Sequence, residues 1–186
     1  MIPIRKMRFI VVIAACLIAS AGHAVEKEDV RIRAGLDLFP SILAADMNIE
    51  AKKGPDGSLL LVLVYTKNEE KASDMAGYLA KVQRIRGIPI RVEISDIRSL
   101  DRFEKRIPAG LFLAQPVTQN LDDLIAYGRK HEIIVFSPFE GDVENGVLGG
   151  IHISDRLLPY INIAAMQSSK IQIKPFFLRV TIRYEK

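Results

Sequence analysis

The chain has 186 residues, of which 49% are hydrophobic and 26% are charged, and it carries a formal net charge of +4. This length and apolar content fit one domain with a buried core. Three of the net positive charges come from Arg5, Lys6 and Arg8, so the remainder of the chain is close to neutral. That balance does not support a nucleic-acid-binding surface spread over the domain, and no nucleic-acid partner is predicted.

The first 24 residues have the pattern of a secretory signal peptide. Their basic start is followed by an apolar run, Phe9–Ala19, and then by small residues up to Ala24. Eleven apolar residues are too few to span a bilayer stably, so we expect cleavage rather than anchoring. Cleavage after Ala24 is favoured over cleavage after Ala21, because charged sequence begins soon after Ala24. The predicted domains are a signal peptide, 1–24, and one mature domain, 25–186.

Cys16, the single cysteine, leaves an alternative open. The stretch Ile13-Ala14-Ala15-Cys16 resembles a bacterial lipoprotein cleavage box, which would place an acyl group on Cys16. Against lipidation, the apolar run continues through Leu17–Ala19, where a lipoprotein usually becomes polar. After cleavage at Ala24 the mature chain has no cysteine, hence no disulfide and no thiol chemistry. Export without disulfides favours a bacterial periplasm.

The first part of the mature chain predicts a helix, a strand and a second helix. Apolar residues at helical spacing indicate a helix over Val25–Asp46, which Pro40 is expected to kink or split. After a turn cluster, the apolar run Leu59–Val64 predicts a strand covered on both faces. Thr66-Lys67-Asn68-Glu69 has the spacing of a capping box, and the helix that follows is expected to end at Gly87.

Three further strands and one helix continue the alternation. Strands are predicted over Ile88–Ile94, Ala109–Ala114 and Glu132–Phe136. Before the last of these, Asn120 is expected to cap a helix that ends near Lys130. This order predicts an α/β fold, a single compact domain with a central, mostly parallel sheet flanked by helices.

The glycine-rich stretch Glu144–Ser154 raises a choice between a phosphate-binding loop and part of a sheet. A phosphate loop places its glycines between a strand and the first turn of a helix. Gly149 and Gly150 instead run directly into an alternating strand pattern, and no phosphate-loop motif fits. Both are therefore interpreted as structural glycines that let a neighbouring group approach the sheet closely.

The same region predicts a C-terminal antiparallel hairpin. Asn145-Gly146 indicates a tight turn, after which Val147–Ile153 is expected to be a strand. A second turn at residues 154–156 leads to a returning strand over Leu157–Ile161. Asn162 is then expected to cap a short helix.

No catalytic, cofactor-binding or metal-binding residue is predicted. His131 lies at a predicted helix end, where a cation is favourable, and His152 lies within a predicted strand. A metal site needs several ligands at suitable spacing, and only Asp155 is close to His152 in the sequence. The stretch Asp142–Gly146 resembles the start of a calcium loop but lacks its oxygen spacing, so a solvated turn is expected there. We therefore expect no cofactor and a protein that is not an enzyme.

The C-terminal tail is predicted to be a strand with one basic face. After Pro175, apolar residues alternate with polar ones, and Arg179 and Arg183 fall on the polar side. The apolar residues of this pattern are predicted to share one buried face; they are Leu178, Val180, Ile182 and Tyr184. One interpretation is a sheet edge protected from aggregation by charge. The other is a partner-binding surface, in which the two arginines bind an acidic protein surface or lipid headgroups.

Four segments, taken together, carry a family resemblance. They are "IRAGLDLFPSI", "GIPIRVE", "PAGLFLAQP" and "EIIVFSPFEGDVENGVLGGIHISDRLLPYINIAAMQSSKIQI". The longest has a strand, a serine-containing turn, a Gly-Gly pair before an apolar strand, and Ile-Asn at the head of a short helix. In this order they resemble the YfiR-like family of bacterial periplasmic proteins, over most of residues 31–180.

The resemblance implies an α/β domain that binds partners and does not turn over substrate. The best-known relatives restrain an inner-membrane diguanylate cyclase and are released by an outer-membrane lipoprotein. It therefore implies a membrane-bound sensor or diguanylate cyclase as partner and an outer-membrane lipoprotein as a second one. A homodimer is a further form of association that we consider. This chain departs from those relatives in having no mature cysteine and in having "ILAAD" in place of an aromatic-rich helix end. The disulfide control of the family is therefore not carried over, and the identity of the partner stays open.

Two functions from different classes follow from these observations. The leading hypothesis is a periplasmic, non-enzymatic regulator that acts by protein–protein contact on an inner-membrane signalling protein, within cyclic-di-GMP signalling or beside a sensor kinase. The alternative is a periplasmic small-molecule-binding component associated with an outer-membrane uptake or chemosensory system.

Overall fold

The computed structural model of the protein describes residues 28–185. The predicted signal peptide, its cleavage sites and Cys16 lie outside the described residues. The helices are α1 (28–45), α2 (Glu69–Leu79), α3 (Leu121–Lys130), α4 (Ile163–Ser168) and α5 (Pro175–Leu178). The strands are β1 (Leu59–Tyr65), β2 (Arg84–Ile85), β3 (Ile88–Asp96), β4 (Gly110–Leu113), β5 (Ile134–Ser137), β6 (Gly149–Ile153), β7 (Leu157–Asn162) and β8 (Ile182–Tyr184). Short 3₁₀ helices cover Ile49–Lys52, Ala80–Val82 and Ile97–Phe103.

All eight strands within residues 28–185 belong to one sheet, in the order β2-β3-β1-β4-β5-β6-β7-β8. The strands from β3 to β6 in that order are parallel, while β2 is antiparallel to β3, and β7 is antiparallel to β6. The last strand, β8, is parallel to β7. The predicted α/β class, the mostly parallel sheet and the C-terminal antiparallel hairpin are confirmed.

A cluster of aromatic rings joins α1 to the centre of the sheet. Phe39 of α1 lies 5.5 Å from Phe112 of β4 and 5.7 Å from Phe136 of β5, measured between ring centroids. The rings of Phe112 and Phe136 are stacked at 5.6 Å. None of the three has exposed surface. Burial of this much aromatic surface is a major stabilising contribution to a domain of this size.

The prediction that Pro40 splits the first helix is wrong. Residues 28–45 form one continuous helix that passes through Pro40. Proline removes one backbone hydrogen bond from a helix. Here Phe39 and Leu43, on either side of it, are fully buried. Their packing on the sheet holds the helix together, because tertiary contacts outweigh a local preference.

The predicted start and end of α2 are both corrected. Asn68, not Thr66, caps the helix, and its side chain accepts a hydrogen bond from the backbone N–H of Lys71 at 2.8 Å. Gly87 does not end a helix but lies in the turn between β2 and β3. Arg86 and Gly87 both have positive φ, 51° and 81°. Two such residues form the tight hairpin turn that matches the twist of the flanking strands.

Two strands begin later than predicted. β5 begins at Ile134 rather than at Glu132, because Glu132 adopts a left-handed conformation, φ 55°, just after α3. β6 begins at Gly149 rather than at Val147, because the N–H of Val147 donates to the carbonyl of Asp142 at 3.0 Å. In both cases a local turn occupies backbone groups that a strand would need.

The two adjacent glycines of β6 lie in closely packed surroundings. A Cβ atom on Gly149 would lie 2.9 Å from Cδ1 of Ile42 in α1. A Cβ atom on Gly150 would lie 2.5 Å from Cγ2 of Val143 and 2.8 Å from the carbonyl oxygen of Ser137. Close approach of neighbouring groups therefore accounts for both glycines, as expected for glycine within a strand.

Among residues 28–185, no helix combines the length and apolar character needed to cross a membrane.

We expect Gly150→Ala to destabilise the fold, because the new methyl group collides with Val143 and with a backbone oxygen. The loss should be about 1–3 kcal/mol, which lowers the melting temperature by about 2–4 °C per kcal/mol. Gly77→Ala is the matched control, because a Cβ atom there meets nothing within 4 Å. As Gly77 lies in α2, this change should stabilise by about 0.5–1 kcal/mol. Thermal unfolding of both variants checks the prediction, and equal melting temperatures would contradict it.

Candidate functional site

The C-terminal segment does not form the long alternating strand that was predicted. Pro175 begins the short helix α5, a position that suits proline because its missing N–H would be unpaired there anyway. Arg179 follows the last residue of α5, and only Ile182–Tyr184 form a strand, β8. The prediction that Leu178, Val180, Ile182 and Tyr184 share one buried face is therefore wrong. Val180 is 59% exposed.

The helix and turn place a different set of side chains on the surface. Arg179 and Val180 lie three and four residues after Phe176, which brings them to the same side of a helical turn as Phe176. Phe176 is 56% exposed, while its neighbour Phe177 is buried. Arg183 joins this group, because its Nη2 donates to the carbonyl of Leu178 at 3.3 Å. We call Phe176, Arg179, Val180 and Arg183 the C-terminal edge surface.

The two arginines of this surface are available to a partner. Within residues 28–185, neither guanidinium has a carboxylate oxygen within the 4.0 Å of an ion pair. Lys170, in contrast, pairs with Glu132 at 3.1 Å. β8 is the last strand in the order of the sheet, so its outer backbone groups have no strand partner among the described residues. The predicted sheet edge is therefore present, although it is shorter than expected and lies beside exposed apolar side chains.

The turn predicted at Asn145-Gly146 lies in the connection between β5 and β6. The N–H of Asn145 donates to Gly141 at 3.0 Å, and the N–H of Gly146 donates to Val143 at 3.2 Å. Gly146 has φ 110°, a conformation that favours glycine. Because β5 and β6 are parallel, this turn belongs to a crossover and not to a hairpin.

Buried polar groups stabilise the connection between β5 and β6. The sequence pattern did not indicate them. Asp142 was expected in a solvated turn, but it is only 8% exposed. The hydroxyl of Ser137 donates to Oδ2 of Asp142 at 2.5 Å and accepts from the N–H of Phe139 at 3.1 Å. Burial raises the pKa of Asp142, and the hydrogen bond from Ser137 opposes part of that shift. Burial removes the carboxyl group from water and thereby favours its neutral, protonated form.

Asn162 caps α4 as predicted and also reaches the buried connection. Its Oδ1 accepts from the N–H of Ala165 at 2.8 Å. Its Nδ2 donates to the carbonyl of Val143, also at 2.8 Å. Asn145, Gly146 and Asn162 line one groove of about 460 Å³ between α3 and α4. The structure therefore brings together three residues that were predicted separately as turn and cap residues.

Asn120 precedes α3, as predicted, but its side chain does not cap the helix. It adopts a left-handed conformation, φ 67°. Its Nδ2 donates to Oδ2 of Asp123 at 3.1 Å. Asparagine tolerates this backbone conformation better than most residues, which is the physical reason for its position here.

Gln115 is a residue that the sequence reasoning missed. Its Oε1 accepts hydrogen bonds from the backbone N–H groups of Thr66, Lys67 and Asn68, at 3.4, 3.0 and 3.1 Å. Its Nε2 donates to the carbonyl of Asn68. One side chain after β4 thus holds the loop after β1. The sequence does show a glutamine directly after a buried strand and before Pro116, which could have indicated a structural role. Its neighbours in the chain, however, do not show that it binds the loop after β1.

The two histidines within the described residues pack against tyrosines. The ring of His131 lies 4.4 Å from that of Tyr127, and the ring of His152 lies 5.6 Å from that of Tyr160. Across residues 28–185, no three His, Cys, Asp or Glu side chains are arranged to hold a metal ion.

Comparison with known proteins informs the fold. No family model matches the chain, and no curated protein matches it. A conserved domain protein from Vibrio cholerae O1 biovar El Tor is similar in structure, with a TM-score of 0.52 and 12% identity over 73% of this chain. An ABC domain in complex with L-Trp from Streptococcus pneumonia has a TM-score of 0.49 and 10% identity over 76% of this chain.

The chain spans 57% and 61% of the lengths of those two structures. At such low identity, the Vibrio structure supports the α/β fold and nothing finer. Neither structure is named as a YfiR-like protein, so that resemblance stays a prediction.

We expect Asn162→Ala to be clearly destabilising, because it removes a helix cap and leaves the buried carbonyl of Val143 without its donor. Loss of the cap costs about 1 kcal/mol, and the unpaired carbonyl costs about 1–3 kcal/mol more. Asn120→Gly is the control, since Asn120 has no capping hydrogen bond to lose and glycine keeps its left-handed backbone without strain. Chemical denaturation of both variants measures the difference. Similar losses in the two variants would contradict the role assigned to Asn162.

The buried carboxyl group of Asp142 should make stability depend on pH. Its raised pKa means that the folded protein keeps a proton at pH values where the unfolded chain has already lost one, above about pH 3.9. The free energy of unfolding therefore falls as the pH rises from there through the folded pKa. Asp142→Asn keeps an acceptor for Ser137 but cannot ionise, so this part of the pH dependence should disappear. Melting temperatures from about pH 4 to about pH 8 test this, and parallel curves for the two proteins would argue against it.

Proposed function

We propose that the protein is a periplasmic, non-enzymatic regulator that acts by contact on an inner-membrane signalling protein, a diguanylate cyclase or a sensor kinase. The observation that carries this proposal is the C-terminal edge surface. It combines an exposed aromatic ring, an exposed branched apolar side chain and two arginines at an open sheet edge. The resemblance of the sequence to the YfiR-like family supports the same role.

The composition of this surface suits a protein partner. Protein interfaces are enriched in aromatic residues and arginine and depleted in lysine. Phe176 and Val180 are each more than half exposed, so their burial against a partner would remove apolar surface from water. Aromatic and arginine side chains are also the commonest residues to dominate binding energy. Two exposed apolar side chains beside two arginines therefore suit a specific contact with a protein.

The charge of the surface indicates an acidic partner. Arg179 and Arg183 are exposed, and each can hold a carboxylate with two parallel hydrogen bonds. Arg183 is already positioned by its hydrogen bond to Leu178, so it loses little freedom on binding. We therefore propose that the partner presents acidic side chains around an apolar patch on its periplasmic part.

Reversal of both charges should weaken the contact. In a pull-down from detergent-solubilised membranes, Arg179→Glu with Arg183→Glu should retain at least about tenfold less partner, because the loss of even one charge-assisted hydrogen bond, about 1.5–3 kcal/mol, weakens binding by that factor. Binding of the wild type should also fall between 0.1 M and 1 M salt, over which the Debye length shortens from about 10 Å to about 3 Å.

A control variant is available at the opposite edge of the sheet. Lys81→Glu with Arg84→Glu makes the same change in charge beside β2, and Arg84, like Arg183, donates to a backbone carbonyl, that of Gly87 at 2.7 Å. This variant should bind as the wild type does. Vesicles of phosphatidylethanolamine and phosphatidylglycerol form a second control. Equal binding by all three proteins, or arginine-dependent binding to vesicles without a membrane-protein partner, would overturn the proposal.

A further inference from the structure

The sheet has a switch point between β1 and β4. These two strands are neighbours and parallel. The chain leaves β1 towards β3 on one side, and it leaves β4 towards β5 on the other. In open α/β sheets, connections that diverge in this way leave a crevice beyond the carboxyl ends of the two strands, where ligands commonly bind. Here that place lies between the loop 66–68 and the loop 114–120.

A cavity of about 460 Å³ occupies this place. Its size falls within the range of small-molecule sites, which is about 300–1,000 Å³. Its walls come from the two loops and from Ile97 and Arg98, which follow β3. Three amide or hydroxyl side chains, those of Thr118, Gln119 and Asn120, line the part next to α3. Such groups can donate and accept hydrogen bonds to a polar ligand.

The crevice is preformed. Oε1 of Gln115 accepts from the hydroxyl of Thr66 at 3.2 Å, in addition to the three backbone N–H groups described above. These bonds tie the loop after β1 to the loop after β4 across the crevice. A site with walls held in this way binds without a large cost for ordering loops.

The ionised groups of the lining are all basic. Lys67 and Arg98 line the cavity, and no aspartate or glutamate does. Arg98 is held by Asp96, whose two carboxylate oxygens accept from Nε and Nη2 at 2.9 and 2.7 Å. The Arg98 guanidinium lowers the pKa of Asp96 to about 2, so this pair stays charged near neutral pH. Within residues 28–185, Lys67 has no carboxylate oxygen within 4.0 Å.

We propose that this crevice, beyond the carboxyl ends of β1 and β4, binds a small polar molecule that carries a carboxylate or phosphate group. The anionic group lies against Lys67 and the outward N–H groups of Arg98. The neutral polar part lies against Thr118, Gln119 and Asn120. This proposal does not depend on the regulatory role, since the C-terminal edge surface lies beyond β4 on the far side of β5, β6 and β7.

The test is an NMR titration of the ¹⁵N-labelled protein with inorganic phosphate and, separately, with succinate, each at constant ionic strength. At least one probe should cause saturable shifts confined to residues 66–68, 97–98 and 115–120. Saturation by phosphate alone identifies a phosphate ligand, and saturation by succinate alone identifies a carboxylate. Lys67→Gln, which leaves the Asp96–Arg98 pair intact, should weaken binding, and Lys67→Gln with Arg98→Gln should weaken it about tenfold or more.

A second basic cavity provides the matched control. It has a volume of about 340 Å³ and is lined by Lys53 and Lys105, which precede β1 and β4. Lys53→Gln with Lys105→Gln should leave the titration unchanged. The absence of saturable shifts at the crevice with both probes would overturn the proposal. So would equal affinity in the Lys67→Gln, Arg98→Gln variant, or shifts that depend on Lys53 and Lys105 instead.

Discussion

The close approach of α1 to the central strands is the contact on which the rest of the structure depends. Phe39 packs against Phe112 and Phe136, and the helix can come this near because glycines face it. A Cβ atom on Gly110 would lie 2.7 Å from Cδ2 of Leu43. A Cβ atom on Gly149 would likewise collide with Ile42 of the same helix. The aromatic cluster and these glycines form one packed layer, and interiors of this kind tolerate little change of volume.

Helix α1 also contacts the polar connection between β5 and β6. Arg31, on α1, is only 9% exposed, and it donates to the carbonyls of Pro138 at 2.8 Å and Ile151 at 3.2 Å. Helix α1 is thereby hydrogen-bonded to the connection between β5 and β6. Asp142 and Asn162 stabilise the same connection, through hydrogen bonds to Ser137 and to the carbonyl of Val143. The burial of Arg31, Asp142 and Asn162 is tolerated because each side chain has a hydrogen-bond partner. A region that looks like a surface turn in the sequence is thus an internal part of the domain.

The two proposed sites differ in how they are built. The crevice beyond β1 and β4 lies between loops that Gln115 ties together, and the ionised groups of its lining are basic. The C-terminal edge surface is open, and it presents Phe176 and Val180 to solvent beside two arginines. A concave crevice with a few converging polar and basic groups suits a small ligand, whereas an exposed apolar patch with arginine at its rim suits a protein. One domain can therefore carry both, since β5, β6 and β7 lie between them in the sheet.

Much of the fold was predictable from the sequence because its determinants are local. The apolar run of β1, the alternation of β6 and β7 and the cap by Asn162 depend on residues close together in the chain. The glycines of β6 were also recognised as structural, because a strand pattern surrounds them. The C-terminal edge was predicted in part: Arg179 and Arg183 were identified, but the alternation concealed the helix that Pro175 begins.

Several features were decided by the tertiary structure alone. Helix α1 stays continuous through Pro40 because Phe39 and Leu43, before and after that residue in the helix, are fully buried. Asp142 is buried because Ser137 and the neighbouring connection enclose it. Gln115 gains its partners only when β1 and β4 lie side by side, although 49 residues separate Gln115 from Thr66 in the sequence. Periodicity and capping report on neighbours in the chain, whereas burial and long-range hydrogen bonds depend on which strands are adjacent in the sheet.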